Sequence, residues 1–477
     1  MFARDEVQDI YSLSPMQQGM LFHYLEAREA GVHIYVEQTC ITVRGEIDVA
    51  LFEQSFNRIV GRYDVLRTVF VYKTVEIPRQ VVLKERRARV YYEDISHLRE
   101  AERARRLEGF RARDRRRGFH LGRDMLMRAA VIKTGAAAYT IIWSAHHIII
   151  DGWCMGIIFK DLLRVYQSLK QGTPPELEPV VPYGRYIHWL DRQEKERALW
   201  YWQAYLAGYR QAACLPRLAG TGEKQKQPGG EFREGYLTLE EGLSAGLRRL
   251  ARQTGVTMNV VMQTVWGILL QRYNACRDVV FGAVVSGRPP QVEGIENMVG
   301  LFINTVPVRI QLPEERETVA GLLKRVQTDM LARRPYEYLP LAEIQARSRL
   351  KEQPIDHLFI FENYPVQREL EAVQQSTPRR SIGFTVETME TFADSSYDFN
   401  VIVGELESVT IKFCYNAAVY TADIETRLAR HLKEIVRQAA CPDRPVKDVS
   451  IVPAAEKSRI LSTLKRDRQA LRLNFDI

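Results

Sequence analysis

A chain of 477 residues, 46% hydrophobic and 26% charged, has the composition of a folded globular protein, which excludes disordered and fibrous classes. It is too long for one core and predicts two substantial domains. There is no N-terminal signal pattern and no apolar run near the ~20 residues that span a bilayer, so a cytoplasmic protein without membrane contact is expected. The net charge of +8 is concentrated locally, with nine arginines between Arg99 and Arg117. Their spacing is helical and acids are interleaved, but the aromatics of a single-strand binder are missing. A solvated helix face is therefore the reading, with no nucleic acid, although a mildly basic surface would suit an acidic protein partner. Cys40, Cys154, Cys214, Cys276, Cys414 and Cys441 are scattered without a CxxC pair. They read as reduced thiols, with no metal site and no disulfide framework.

In chain order, Ser14 before Pro15 is an N-cap followed by a proline at the first helical position, and Met16, Met20 and Leu21 would face a core. Residues 33–44 alternate as a strand, and 49–60 form a helix. Then Leu66, Val69 and Phe70 pack between Arg62 and Arg67. Residues 138–145 (AYTIIWSA) read as a buried strand. The next helix covers 154–170, with Ile157, Ile158, Leu162, Leu163, Tyr166 and Leu169 on one stripe and Gly172, Pro174 and Pro175 ending it. The proline-rich stretch 171–182 is the best linker, so the lobe boundary is placed there. Residues 183–190 open another helix, and 221–230 (TGEKQKQPGG) form a surface loop. In the second half, 257–273 is a buried helix and 278–286 a buried strand, running into Gly287 and Arg288.

Between the strand and helix of the first half lies His146-His147-Ile148-Ile149-Ile150-Asp151-Gly152. Neighbouring strand residues face opposite ways, so the two imidazoles should not share a role. An imidazole titrates near pH 6.5 and can accept or direct a proton. Asp151 would brace the loop through an ion pair, and Gly152 would allow a tight turn into the helix. Backbone N–H groups at the helix start could steady charge developing on a carbonyl oxygen.

This HHxxxDG string resembles the signature of the acyltransferase superfamily that includes chloramphenicol acetyltransferase and the condensation domains of nonribosomal peptide synthetases. The string at 9–23 (DIYSLSPMQQGMLFH) resembles the first core motif of condensation domains, in the form that accepts an L-configured donor. Residues 62–70 resemble the second, with Tyr63 where the family usually has His. Residues 118–128 resemble the segment leading into the catalytic strand, with His120 in place of Asp. Residues 287–290, 298–309, 334–341 and 361–365, in their order and spacing, resemble the later core motifs.

The resemblance implies an α/β fold of two chloramphenicol acetyltransferase-like lobes, a V-shaped pseudo-dimer with a central tunnel. Residues 1–176 would form the lobe with HHxxxDG, 177–453 the second lobe, and 454–477 the start of a linker to a following adenylation domain. The implied reaction is peptide bond formation between donor and acceptor thioesters. Both would be carried on 4'-phosphopantetheine arms of peptidyl carrier domains, with no cofactor attached to this chain and a monomer as an excised domain. His147 would be the base or amine-positioning group, His146 structural, Asp151 a brace paired with Arg288, and Arg62 and Arg67 supports of the catalytic loop. An epimerisation domain shares HHxxxDG but continues as DGVSWR, whereas this chain reads DGWCMG. A coenzyme A-dependent acyltransferase of small molecules is compatible with the motif alone, and the other core motifs weigh against it.

Overall fold

The strand expected at 138–145 sits in the middle of a sheet, and the strands beside it come from distant parts of the chain. In a computed structural model, the residues described are 3–29, 31–218, 232–312, 315–352, 355–362, 382–393, 397–453, 456–459 and 462–463. The first elements are β1 (Val7–Ser12), α1 (Pro15–Glu29), β2 (Val36–Gly45), α2 (Val49–Arg62), β3 (Thr68–Val71), β4 (Arg79–Leu83), β5 (Tyr91–Asp94) and α3 (Glu100–Arg117). They are followed by β6 (Met127–Gly135), β7 (Ala138–His146), α4 (Gly152–Gln171), α5 (Gly184–Leu190), α6 (Lys195–Tyr205), β8 (Phe232–Thr238), α7 (Glu241–Thr254) and α8 (Met258–Tyr273). The remaining elements are β9 (Asp278–Val285), β10 (Asn304–Gln311), α9 (Val319–Arg333), α10 (Leu341–Ala346), β11 (Leu358–Glu362), β12 (Phe384–Ala393), β13 (Phe399–Glu405), β14 (Val409–Asn416) and α11 (Ile424–Ala439).

These elements divide between two compact units, each discontinuous in sequence. The first takes residues 1–195, 286–304 and 364–396. The boundary expected at 176/177 falls inside it: the first crossing comes at 195/196, and Arg62 ties the proline-rich stretch down through the Glu178 carbonyl. Its main sheet has the order β12-β2-β7-β6-β5, antiparallel except for β5 with β6. A smaller sheet runs β1-β4-β3. On one side of β7 the core closes through Trp143, Phe56 and Phe159, with ring centroids 4.9 and 5.0 Å from the tryptophan. On the other side lies α3, which buries none of its residues. Its half-buried Asp114 takes hydrogen bonds from Ser144, Gln38 and Arg128. The arginine-rich helix is thus a solvated face whose inner edge is a polar network.

The second unit holds a six-stranded sheet, β10-β9-β11-β13-β14-β8, in which β11 is parallel to β9 and β13. Trp266, Phe281, Phe399, Phe413, Leu428 and Ile435 are among its buried core residues. Thr257 caps α8 through the Val260 N–H, and β9 follows where the buried strand at 278–286 was read. Residues 221–230 and 363–365 of the sequence reading lie outside the described residues. In the tail, 456–459 and 462–463 are helical. Among the described residues, no helix is long and apolar enough to cross a membrane, and no group of three or more His, Cys, Asp or Glu is placed to hold a metal ion.

Candidate active site

The site belongs to the first unit and is built at the end of β7. His146 is the last residue of the strand, paired with Val36 of β2. A single 3-10 turn, His147–Ile149, follows, and α4 starts at Gly152. The turn is shaped by His146 itself, whose Nδ1 accepts the Ile148 N–H at 3.1 Å. Accepting there leaves the ring hydrogen on Nε2. His146 is 1% exposed, with Tyr24, Tyr35 and Phe119 around its ring at 5.8, 6.2 and 6.3 Å. Burial among aromatics pushes its pKa down to about 3, with smaller contributions from His147 and His33. It is a neutral framing group.

His147 is different. Its side chain is 17% exposed, and its Nε2 lies 3.2 Å from Glu37 Oε1 on β2. Its Nδ1 is 2.7 Å from the Ile150 carbonyl; a carbonyl only accepts, so Nδ1 carries a hydrogen. Its backbone N–H donates to the Tyr35 carbonyl at 2.8 Å. Burial disfavours its charge but is outweighed by the Glu37 carboxylate and, to a smaller degree, by Asp151 and the Ile150 carbonyl, so the pKa is raised. Glu37 is also raised, by burial first, against the opposing pull of His147.

Asp151 is fully buried and caps α4, its Oδ1 accepting the Cys154 N–H at 3.3 Å. The Cys154 thiol lies 3.1 Å from the same oxygen, and Oδ2 accepts the Phe302 N–H at 3.1 Å. Arg288 Nη2 is 3.5 Å from Oδ1. The guanidinium also donates to the Ile295 and Met298 carbonyls at 2.5 and 3.0 Å and lies 4.0 Å over the Phe302 ring. The segment 286–304 thus closes over Asp151 through one cation and one backbone N–H. Gly152 opens α4 as a helical residue, and the turn before it is made in extended backbone at Ile150 and Asp151. Left-handed freedom is needed instead at Gly287, with φ of 61°, where an added Cβ would sit 1.7 Å from the Phe302 carbonyl oxygen. The Cys154 N–H, one of the helix-start donors, is already taken by Asp151.

Two expectations need correction. Arg62 and Arg67 make their contacts away from the 146–152 loop. Arg62 Nε pairs with Asp161 Oδ2 on α4 at 2.9 Å, and Arg67 serves Asp64, Gln8 and the Val60, Leu83 and Lys84 carbonyls. A 4% exposed guanidinium goes where carbonyls converge, and these are Val60 on α2 with Leu83 and Lys84 at the end of β4. Tyr63, which stands where the family usually has His, donates to Asp161 Oδ2 at 2.6 Å. His120 accepts the Gly122 N–H in a local turn, consistent with a structural part.

Three contributors were not singled out from the sequence. Gln17, inside the first motif string, exchanges hydrogen bonds with Ser14 as a capping box and donates to the Ile148 carbonyl at 3.0 Å. The signal was its place three residues after the cap. Phe302 reaches Asp151 through its backbone N–H, a contact that leaves no side-chain signature, while its ring lies under Arg288. Glu37 carried a signal of its own, an acid inside an otherwise apolar and polar-neutral strand segment.

The condensation domain family model matches residues 7–461. Gramicidin S synthase 2 of Brevibacillus brevis is 42% identical over 464 residues, 97% of this chain and 10% of that protein. Tyrocidine synthase 2 of Brevibacillus parabrevis is 44% identical over 434 residues, 91% of this chain and 12% of that protein. The chain therefore spans about a tenth of the length of these curated relatives. Among solved structures, the X-domain from teicoplanin biosynthesis superposes with a TM-score of 0.76 at 22% identity, covering 95% of this chain and 99% of that one. The first condensation domain of the calcium-dependent antibiotic synthetase, in complex with a substrate analogue, gives 0.73 at 18%, with 94% and 100% covered. These structures share the α/β, chloramphenicol acetyltransferase-like fold. With a family match over nearly the whole of its length, the chain belongs to the condensation domain family.

Proposed function

We propose that this chain forms a peptide bond between two thioesters, an acyl transfer. The α-amine of an acceptor aminoacyl thioester attacks the donor thioester carbonyl; the C–N bond forms, the C–S bond breaks and the donor thiol leaves. Both substrates arrive on 4'-phosphopantetheine arms of carrier domains, with an adenylation domain adjoining in the full synthetase. The relatives named as synthases of gramicidin S and tyrocidine support this class. The observation that carries it is His147, the half-open imidazole of the pair, held by hydrogen bonds from its backbone and from Nδ1. A thioester is already activated and an α-amine with pKa near 8 is partly neutral near pH 7, so alignment supplies much of the rate, up to ~7–11 kcal/mol in favourable cases. His147 holds or deprotonates the amine, His146 frames the turn, and Asp151 with Arg288 fixes the loop.

The test mixes the protein with loaded donor and acceptor carriers and weighs the products by mass spectrometry. His147→Ala is expected to lose ~10²–10⁴-fold, while His147→Gln keeps part of the rate if the ring positions the amine by a hydrogen bond. Equal rates for both variants and wild type overturn the reading. Paired competition is expected to favour the L-configured donor, as the 9–23 string implies; preferential turnover of the D-donor overturns that subtype.

A further inference from the structure

The contact between His147 and Glu37 has a consequence for the proton. Nδ1 keeps its hydrogen because it faces a carbonyl at 2.7 Å. A neutral ring therefore presents a lone pair at Nε2, and an ionised Glu37 would set its oxygen 3.2 Å from that lone pair. Two acceptors do not face each other at that distance without a proton between them. The pair is then either imidazolium with carboxylate or imidazole with carboxylic acid, neutral in sum, which suits side chains only 17% and 16% exposed.

We propose that Glu37 is the positioning residue for His147, the carboxyl and Nε2 holding one shared proton that sets whether Nε2 meets the acceptor amine as donor or acceptor. This rests on the reading of His147 as the amine-facing group. In the reaction, the amine takes the one in-plane site of Nε2 from Oε1; the proton it loses as the C–N bond forms goes to Nε2 when the shared proton sits on the carboxyl, and to the carboxylate when it sits on the ring. The pair returns one proton to the leaving thiolate as the C–S bond breaks. The other ionisable groups around it are Asp151 from the start of α4, held by Arg288, and His146 from β7 with His33 beyond it. His146 stays neutral, so Glu37 is the charge in direct contact with Nε2.

The experiment is ¹³C–¹H NMR on protein labelled at its nine histidines, with His147 assigned by the resonance missing in His147→Gln. A carboxylate beside Nε2 favours the imidazolium. In Glu37→Gln the amide donates to the Nε2 lone pair and favours the neutral ring. The expected result is a His147 midpoint displaced to lower pH in Glu37→Gln, with Glu37→Asp, whose shorter reach weakens the contact, lying between. The acidic limb of kcat/KM moves the same way. An identical midpoint in wild type and both variants overturns the shared proton. A midpoint that moves while the kcat/KM profile stays in place upholds the pair and overturns the amine-facing role of His147.

Discussion

Replacing Asp151 by asparagine keeps the shape of the side chain but leaves one acceptor oxygen where two now serve the Cys154 N–H, the Phe302 N–H and Arg288. If the amide oxygen keeps Phe302, the amide nitrogen turns its hydrogens toward the Cys154 N–H and the guanidinium; reversed, it faces the Phe302 N–H. Either way one buried donor is orphaned against another. A lost helix cap costs about 1 kcal/mol and an unsatisfied buried donor about 1–3. Arg288 loses its counter-charge but keeps two carbonyls, so its share is below that of a fully stranded ion. The orphaned donor is either the Cys154 N–H of the cap or the Phe302 N–H, never both, so the cost is about 1–3 kcal/mol. Urea denaturation of wild type and Asp151→Asn measures it, with hydrogen exchange at the Cys154 and Phe302 amides locating the loss. Arg288→Met is also destabilising, and the double variant is expected to cost less than the two singles added, by roughly 0.5–3 kcal/mol. A variant as stable as wild type, within about 0.5 kcal/mol, that is nevertheless inactive refutes the bracing argument and puts the carboxylate in the chemistry.

Acid should act on the fold through His146. With the folded pKa near 3 and an unfolded value near 6.5, the unfolded chain takes up a proton that the folded ring refuses. Stability is therefore lost as pH falls through this window, on the order of 1 kcal/mol per unit. His146→Asn, whose oxygen can still accept the Ile148 N–H, is expected to flatten the urea midpoint against pH between 6.5 and about 4; an unchanged slope contradicts the assignment. At Gly287, alanine would meet the Phe302 carbonyl in a backbone conformation that disfavours a side chain. A fall in thermal midpoint with faster exchange of the Phe302 amide is expected, and a neutral effect means that the 286–304 segment does not depend on this turn.

How legible the site was depended on the kind of contact. β7 and α4 were readable because their apolar periods are local, and they place HHxxxDG between a strand end and a helix start. Arg288 was found by resemblance, and the structure sets it 3.5 Å from Asp151. Glu37 stood out as an acid, but the face it takes was hidden because β2 does not alternate cleanly: Gln38, Thr39, Cys40 and Ile41 are all buried, with α3 covering one face and the core the other. Only the pairing of Glu37 with Ala145 brings its carboxyl to the next turn, and such register is a long-range fact. The same holds for β12, which joins β2 from the far end of the chain and makes the first unit discontinuous. Arg62 and Arg67 misled for the opposite reason, since their chemistry was plain but the carbonyls and carboxylates that claim them were not.

The two adjacent histidines make one device, and in the proposed reaction only the second needs to meet substrate. Because His146 faces inward and accepts from Ile148, it bends the chain directly after the strand, and Gln17 holds the same residue by its carbonyl. That bend takes His147 off the strand, ties its Nδ1 to Ile150 and turns Nε2 toward Glu37. Asp151 then ends the turn, caps α4 and receives Phe302 and Arg288 from a distant segment. An imidazole tethered at Nδ1 and at its backbone would lose little freedom on meeting the amine of the proposed reaction, as a step limited by alignment requires. Damage to His146 should then appear as a loosened His147, lowering kcat through geometry, whereas Asp151→Asn should in addition move the His147 midpoint to lower pH, since the Asp151 carboxylate helps to hold the ring charged.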